Sequence, residues 1–261
     1  MPALASAAIA IQQVWKSYSS GNGFALRDVS LEVTRHSFVA LAGASGSGKT
    51  TLLKLINRLI EPTRGAVFVD GGDVAACDAV QLRRRIGYVF QGIGLFPHLT
   101  VAGNIAVTPE LLKWDREAIS RRVDEMLELV RLPRELKSRF PATLSGGQAQ
   151  RVGIARALAA RPEIVLMDEP FGAVDPVMRD VLGREYRALH DALGLTTVMV
   201  SHDIMEAVLT ADCIAVLDQG ELVECGAPAM LLAHTDNDTV RELINTPLRQ
   251  AERISRLAGH G

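Results

Sequence analysis

The sequence predicts an α/β fold: a mostly parallel sheet, an N-terminal antiparallel β subdomain and a helical subdomain carried on the core. Three observations predict it. A wholly apolar run, Phe38-Val39-Ala40-Leu41-Ala42, passes straight into a glycine-rich loop and then into helical spacing. Further along, Ile164–Asp168 and Thr196–Val200 are short apolar runs that alternate with helical segments, as strands of a parallel sheet do with their crossover helices. The earliest segments instead alternate apolar and polar residues, the mark of half-buried antiparallel strands.

Taken in order, Ile9-Ala10-Ile11-Gln12-Gln13-Val14-Trp15 and Ser30-Leu31-Glu32-Val33 read as those half-buried strands. Ser37–Gly43 is a fully buried strand. Leu52, Leu53, Leu55, Ile56, Leu59 and Ile60 recur at helical spacing until Glu61-Pro62 stops the helix. Ala66–Gly72 is a run ending in a turn, and Ile86–Phe90 a short strand leading to Gln91. From about Thr100 to Leu132 the pattern is helical, with Ile119, Val123, Met126, Leu127 and Val130 on one face. Residues from about 96 to 144 thus read as a helical insertion. Ser145, with Gln148 three residues on, has the capping-box pattern that opens another helix. Val177–Leu193 and Ile204–Thr210 are further helices, Ile214–Leu217 is a strand, and a turn follows at Asp218-Gln219-Gly220. The stretch from about 227 to 261 reads as a short helical tail. All 261 residues read as one domain, without internal repeats.

The chemistry begins at Gly43-Ala44-Ser45-Gly46-Ser47-Gly48-Lys49-Thr50, a G-x-x-x-x-G-K-[ST] loop between a strand and a helix. Glycines let successive N–H groups curl toward phosphate oxygens, and the following helix adds its positive end. Lys49 supplies a cation for the β- and γ-phosphates of a nucleotide, the Thr50 hydroxyl can ligate Mg²⁺, and Thr51 is counted with the loop. Asp168 ends an apolar strand on the sheet edge that carries this loop, where it can hold Mg²⁺ through water. Glu169 is placed to polarise an attacking water. Leu144-Ser145-Gly146-Gly147-Gln148 is either a second anion nest at a helix N-terminus or an ordinary capping box, and alone it does not decide between them.

Phosphate loop, Gln91, Leu144–Gln148, Asp168-Glu169 and Ser201-His202 stand in that order along one chain. The constellation resembles the ATPase subunit of an ABC transporter, over nearly the full length. The resemblance implies a P-loop ATPase core that uses ATP and Mg²⁺. It implies that Ser145, Gly146, Gly147 and Gln148 form a signature acting in trans on ATP held by a second copy of the chain, in a head-to-tail dimer. It matches Gln91 to the loop that senses Mg²⁺ and the attacking water, His202 to the histidine that contacts the γ-phosphate, and Asp175 to a loop crossing the dimer interface. It places Tyr18 against adenine, with Trp15 as a competitor. Ala149 stands where many relatives have glutamine, outside the phosphate nest.

A finer resemblance comes from Asn57-Arg58-Leu59-Ile60-Glu61-Pro62-Thr63, from Arg84–Val89, and from Gln91-Gly92-Ile93-Gly94-Leu95-Phe96-Pro97-His98 with Thr100-Val101. These look like the ATPase subunits of quaternary-amine importers, which take up glycine betaine, choline or carnitine. The implied partners are integral membrane permease subunits and, indirectly, an extracytoplasmic solute-binding protein. Some such relatives carry C-terminal regulatory domains; the tail here is expected to hold two helices and no such domain. Importers of methionine, a sulfonate or a polyamine are the alternative within the class.

A net charge of −2 gives no basic field, and no long heptad run is present, so no nucleic-acid partner is expected. Cys77, Cys213 and Cys225 are odd in number and lack C-x-x-C spacing, which argues against a disulfide framework or a zinc site and reads as small buried residues. The apolar start Met1–Ala10 lacks a basic n-region, so no secretory leader is expected. The chain is expected to work peripherally on the cytoplasmic face of the inner (plasma) membrane.

Overall fold

The computed structural model describes residues 7–18, 23–92, 94–172 and 174–258. Residues 1–6 of the stretch read for a leader, Ile93 in the run after Gln91, Ala173 before Asp175, and the end of the tail from 259 lie outside them.

Strands β1 (Ala7–Ser17), β2 (Phe24–Thr34), β4 (Arg64–Val69) and β5 (Gly72–Asp73) form an antiparallel sheet in the order β2-β1-β4-β5. β3 is Phe38–Ala42. In β2 the expected alternation holds, with Val29, Leu31 and Val33 buried between exposed Ser30 and Glu32. In β1 it does not: Ala7 to Ile11 are all buried. β1 lies between β2 and β4, and the small Ala8 and Ala10 fill the face opposite Ile9 and Ile11.

Helix α1 (Lys49–Ile56) leaves the glycine loop and packs against β2, β4 and the later strands Ile164–Asp168 and Thr196–Val200. Leu52, Leu53, Leu55 and Ile56 are fully buried, each contributing roughly 1.5–3 kcal/mol. The helix is shorter than its apolar spacing suggested, because Arg58 turns to φ +46°. α2 (Ala79–Arg85), whose last turn is the Arg83-Arg84-Arg85 cluster that reads as a helix end in the sequence, is opened by Asp78, whose carboxylate accepts from Val80 and Gln81 N–H.

β6 is Ile86–Val89. The helical run expected from Thr100 to Leu132 is two helices, α3 (Val101–Leu111) and α4 (Arg116–Leu129). Lys113 at φ +60° breaks the run, and Asp115 restarts it by accepting from Ala118 N–H at 2.8 Å. Two 3₁₀ turns, Arg134–Ser138 and Pro141–Thr143, lead to α5 (Gly146–Leu158).

β7 (Ile164–Asp168), α6 (Pro176–Leu193), β8 (Thr196–Val200), α7 (Ile204–Thr210), β9 (Cys213–Asp218) and β10 (Glu221–Gly226) complete the second sheet, in the order β10-β9-β3-β8-β7-β6. All its pairings are parallel except the β9–β10 hairpin. Every residue of β3, β7 and β8 is buried, as strands covered on both faces require. α8 (Pro228–Ala233) and α9 (Asp238–Ala258) follow, with Val240 and Ile244 packed on a cluster that includes Ile204 and Ala207 of α7. A second cluster joins Ile105, Leu127 and Val152 of the helical portion to Phe38, Met167 and Tyr186 of the core. The helical portion is thereby fastened to the sheet that carries the site.

Candidate functional site: converging strand ends

The parallel strands point the same way, so their carboxyl ends share one edge of the sheet. Gly43 follows β3, Gln91 comes two residues after β6, Glu169 follows Asp168 at the end of β7, and Ser201-His202 follow β8. Residues scattered through the sequence thus converge on one edge.

In the glycine loop, Gly43, Gly46 and Gly48 have φ of +138°, +80° and +103°, a region that side-chain-bearing residues avoid. A β-carbon at Gly43 would lie 2.1 Å from the Leu217 carbonyl oxygen, and one at Gly48 would lie 2.6 Å from that of Ala25. The loop is therefore wedged between β9 and the start of β2. Gly48 brings no side chain to cap α1, so the helix's first-turn N–H groups are left as donors suited to an anion. Lys49 is 6% exposed and donates from Nζ to the Gly43 and Ala44 carbonyls at 2.8 and 2.7 Å. Burial lowers its pKa, while Glu169 and Asp168 hold it up.

Thr50 Oγ1 donates to Asp168 Oδ1 at 2.8 Å. Asp168 is 5% exposed; burial raises its pKa, and the Thr50 hydrogen bond is the largest influence opposing that. Hydroxyl and carboxylate oxygens are a hard donor set suited to Mg²⁺ and unlike the sulfur and imidazole sets that draw zinc.

Gln91 Nε2 donates to Glu169 Oε2 at 2.9 Å, and His202 Nδ1 lies 3.6 Å from that same oxygen. Glu169 sits at φ +44° and is anchored by its N–H to the Val200 carbonyl at 3.1 Å. Gly172 lies beside the pair: a β-carbon there would be in ordinary van der Waals contact with His202 Cε1 at 3.5 Å. Gln91 and His202, more than a hundred positions apart in sequence, therefore meet on one carboxylate beside the glycine loop.

Ser145 opens α5 with a complete capping box: Gln148 N–H donates to Ser145 Oγ at 3.2 Å, and Ser145 N–H donates to Gln148 Oε1 at 3.0 Å. Gly147 packs on Met178, and Gly146 faces Val174. Asp175 caps α6, accepting from Met178 N–H at 3.0 Å. The Leu144–Gln148 segment and the Asp175 loop are thus neighbours. Tyr18, 43% exposed, reaches Thr51 Oγ1 at 3.5 Å, with Lys16 Nζ 5.2 Å from its ring centroid. Trp15 instead packs edge-on against Phe24.

Arg156 of α5 is a residue that sequence reasoning missed. It is 6% exposed, its guanidinium lies 5.7 and 5.5 Å from the Phe90 and Phe96 ring centroids, and Nη1 donates to the Gly94 carbonyl at 2.8 Å. It clamps the segment after Gln91 to the helix that begins at the capping box. A mid-helix arginine gives no such signal in sequence. Beside it runs a groove of about 480 Å³, whose described lining includes Arg83, Arg84 and Arg156 and no carboxylate. Among the described residues, no helix is long and apolar enough to cross a membrane.

The sequence pattern of a family described as ABC transporter matches residues 26–172. The chain is 47% identical to the glycine betaine/carnitine/choline transport ATP-binding protein OpuCA of Bacillus subtilis (strain 168), over 90% of this chain and 61% of that protein. It therefore spans about three fifths of that relative's length. It is 49% identical to the glycine betaine uptake system ATP-binding protein YehX of Escherichia coli (strain K12), over 84% of this chain and 71% of that one. Among solved structures it resembles the dimeric structure of MJ0796, a bacterial ABC transporter cassette, with a TM-score of 0.76 and 36% identity over 84% of this chain and 98% of that one.

Proposed function

We propose a function from one established premise: this chain belongs to the ABC transporter family. It is the ATP-binding and ATP-hydrolysing subunit that energises an importer of quaternary-amine osmoprotectants by ATP-driven closure of a dimer. The observation that carries the ATPase reading is the Glu169 carboxylate, gathered with Gln91 and His202 beside the glycine loop.

In this reading, the N–H groups of Gly46 to Thr51 cradle the phosphates of ATP, and Tyr18 lies against adenine. Lys49 exchanges the carbonyls of Gly43 and Ala44 for phosphate oxygens, which are stronger acceptors for a cation. Thr50, Asp168 and Gln91 would hold Mg²⁺, with Asp168 acting through water. When bound, Mg²⁺ neutralises charge on the β- and γ-phosphates. Glu169 orients a water against the γ-phosphorus and accepts its proton, Gln91 and His202 fix that carboxylate and the γ-phosphate, and ADP leaves with its electron pair.

Ser145, Gly146, Gly147 and Gln148 of a second copy complete the site across a head-to-tail interface that also contains Asp175. Support for this comes from the exposed start of α5 beside the Asp175 loop, and from the dimeric state of the MJ0796 cassette. The permease subunits dock at the arginine-lined groove after Gln91, where Arg156 ties that segment to α5. The chain then sits peripherally on the cytoplasmic face of the inner membrane. The solute reading rests on the two transport relatives, both named for glycine betaine.

Uptake of radiolabelled glycine betaine and choline at high osmolarity, in cells with and without this chain, tests the proposal. Loss of uptake on deletion, restored by the wild type and not by Glu169→Gln, is the expected result. Unchanged uptake in a host stripped of other betaine importers overturns the solute assignment.

A further inference from the structure

Two of the three cysteines, unremarkable in sequence, meet in space. Cys213 opens β9 and Cys225 lies near the end of β10. In that antiparallel pair Cys225 stands opposite Ala215, so Cys213 is its diagonal neighbour on the same face. Their sulfurs are 3.2 Å apart. Cys225 is exposed on the edge strand of the sheet, and Cys213 is half-buried against the cluster that includes Leu41 and Leu217. The expectation of separate, buried small residues is thus wrong for this pair, because spacing along the chain carries no record of which strands form a hairpin.

We propose that Cys213 and Cys225 are a redox-active dithiol that closes to an intramolecular disulfide on meeting a hydroperoxide. Cys213 supplies the nucleophile. A hydrogen bond from the Cys225 thiol brings its pKa down to about 7, the Gly226 N–H helps, and burial and Asp212 oppose the shift. The Cys225 proton is correspondingly harder to lose. The Cys213 thiolate attacks one peroxide oxygen, forming an S–O bond as the O–O bond breaks, and the departing oxygen takes a proton to leave as water. The Cys225 sulfur then displaces the remaining hydroxyl, which leaves with the Cys225 proton as a second water. Two thiols and one hydrogen peroxide become one disulfide and two waters, with two electrons passing from sulfur to oxygen.

A bonded pair needs the sulfurs to close by about 1 Å. β9 lies beside β3, and the turn at its far end touches the phosphate loop through Gly220 N–H and the Ser47 carbonyl at 3.2 Å. The bridge therefore pins the hairpin at the end remote from that contact.

Hydrogen peroxide treatment of the full chain, read by thiol labelling and mass spectrometry, tests this. The expected result is loss of two thiols and of the mass of two hydrogens, with Cys77 still free. Protease cleavage after Glu221 and Glu224 then separates the two cysteine segments only once dithiothreitol is added. Cys225→Ser, on the exposed edge, must abolish the link and leave Cys213 to gain oxygen instead. Oxidation of each cysteine independently in the wild type overturns the proposal. So does a link to Cys77 or between chains, or survival of all three thiols at a dose that oxidises the urea-unfolded chain.

Discussion

Replacing Thr50 with valine keeps a β-branched shape and deletes one hydroxyl whose partner is known. Thr50 Oγ1 donates to Asp168 Oδ1 at 2.8 Å, and that carboxylate is 5% exposed. A hydrogen bond to an ionised group is worth about 1.5–3 kcal/mol net. In a chain of this size each kcal/mol corresponds to roughly 2–4 °C, so the Tm of the metal-free protein falls by roughly 3–12 °C at pH 7. The pH dependence follows from the direction of the Asp168 shift. Burial raises its folded pKa, so the folded state holds the proton more tightly than the unfolded state. Stability therefore falls as pH climbs from the ordinary carboxylate value through the raised folded value. Thr50→Val removes the strongest opposing influence and moves that folded value further up. Its deficit is thus full above this window and shrinks toward pH 4. Urea denaturation in EDTA of the wild type, Thr50→Val, Asp168→Asn and the double variant measures the coupling directly. A coupling within about 0.3 kcal/mol of zero refutes the reasoning, because it means the hydroxyl and the carboxylate do not interact in solution.

Other outcomes follow from neighbouring contacts. Lys49→Ala deletes charge-assisted hydrogen bonds to phosphate and should weaken ATP binding by roughly 10–100-fold in a titration; unchanged affinity contradicts the cradle. Tyr186→Phe removes the buried hydroxyl that meets Thr197 Oγ1 at 2.9 Å and should cost about 1–3 kcal/mol in urea midpoints while leaving ATP affinity unchanged. His190 is 1% exposed, and burial, then Arg187, lower its pKa. Its folded state resists protonation, so stability is present above about pH 6.5 and is lost as pH falls below it. His190→Gln should remove that part of the slope; an unaltered slope contradicts the assignment.

Much of this architecture was legible because its signals are local. The glycine loop needs its three positive-φ glycines, the strand before it occurs where the apolar run places it, and the helix after it starts as expected but ends at Ile56, short of Leu59 and Ile60. The Ser145–Gln148 box forms with both of its hydrogen bonds. The parallel core follows the apolar patterning, and so does β2 of the antiparallel N-terminal sheet, whereas β1, between two neighbours, is buried without alternating. What escaped the sequence depends on long-range placement. The split between α3 and α4 turns on one left-handed residue, Lys113, which composition does not flag. Arg156 is held by two aromatic rings that lie some sixty positions earlier, and Cys213 meets Cys225 only because β9 and β10 form a hairpin. The convergence of Gln91 and His202 on Glu169 is visible in the geometry, whereas in the sequence it rested on resemblance alone.

The most direct test of the central claim is ATP turnover and sedimentation of Glu169→Gln alongside the wild type, with Mg²⁺ present. The account predicts that the variant binds ATP as the wild type does, hydrolyses it at least 100-fold more slowly on the scale of a lost general base, and accumulates as an ATP-bound dimer. Wild-type turnover by Glu169→Gln, with the chain monomeric in ATP, would contradict it.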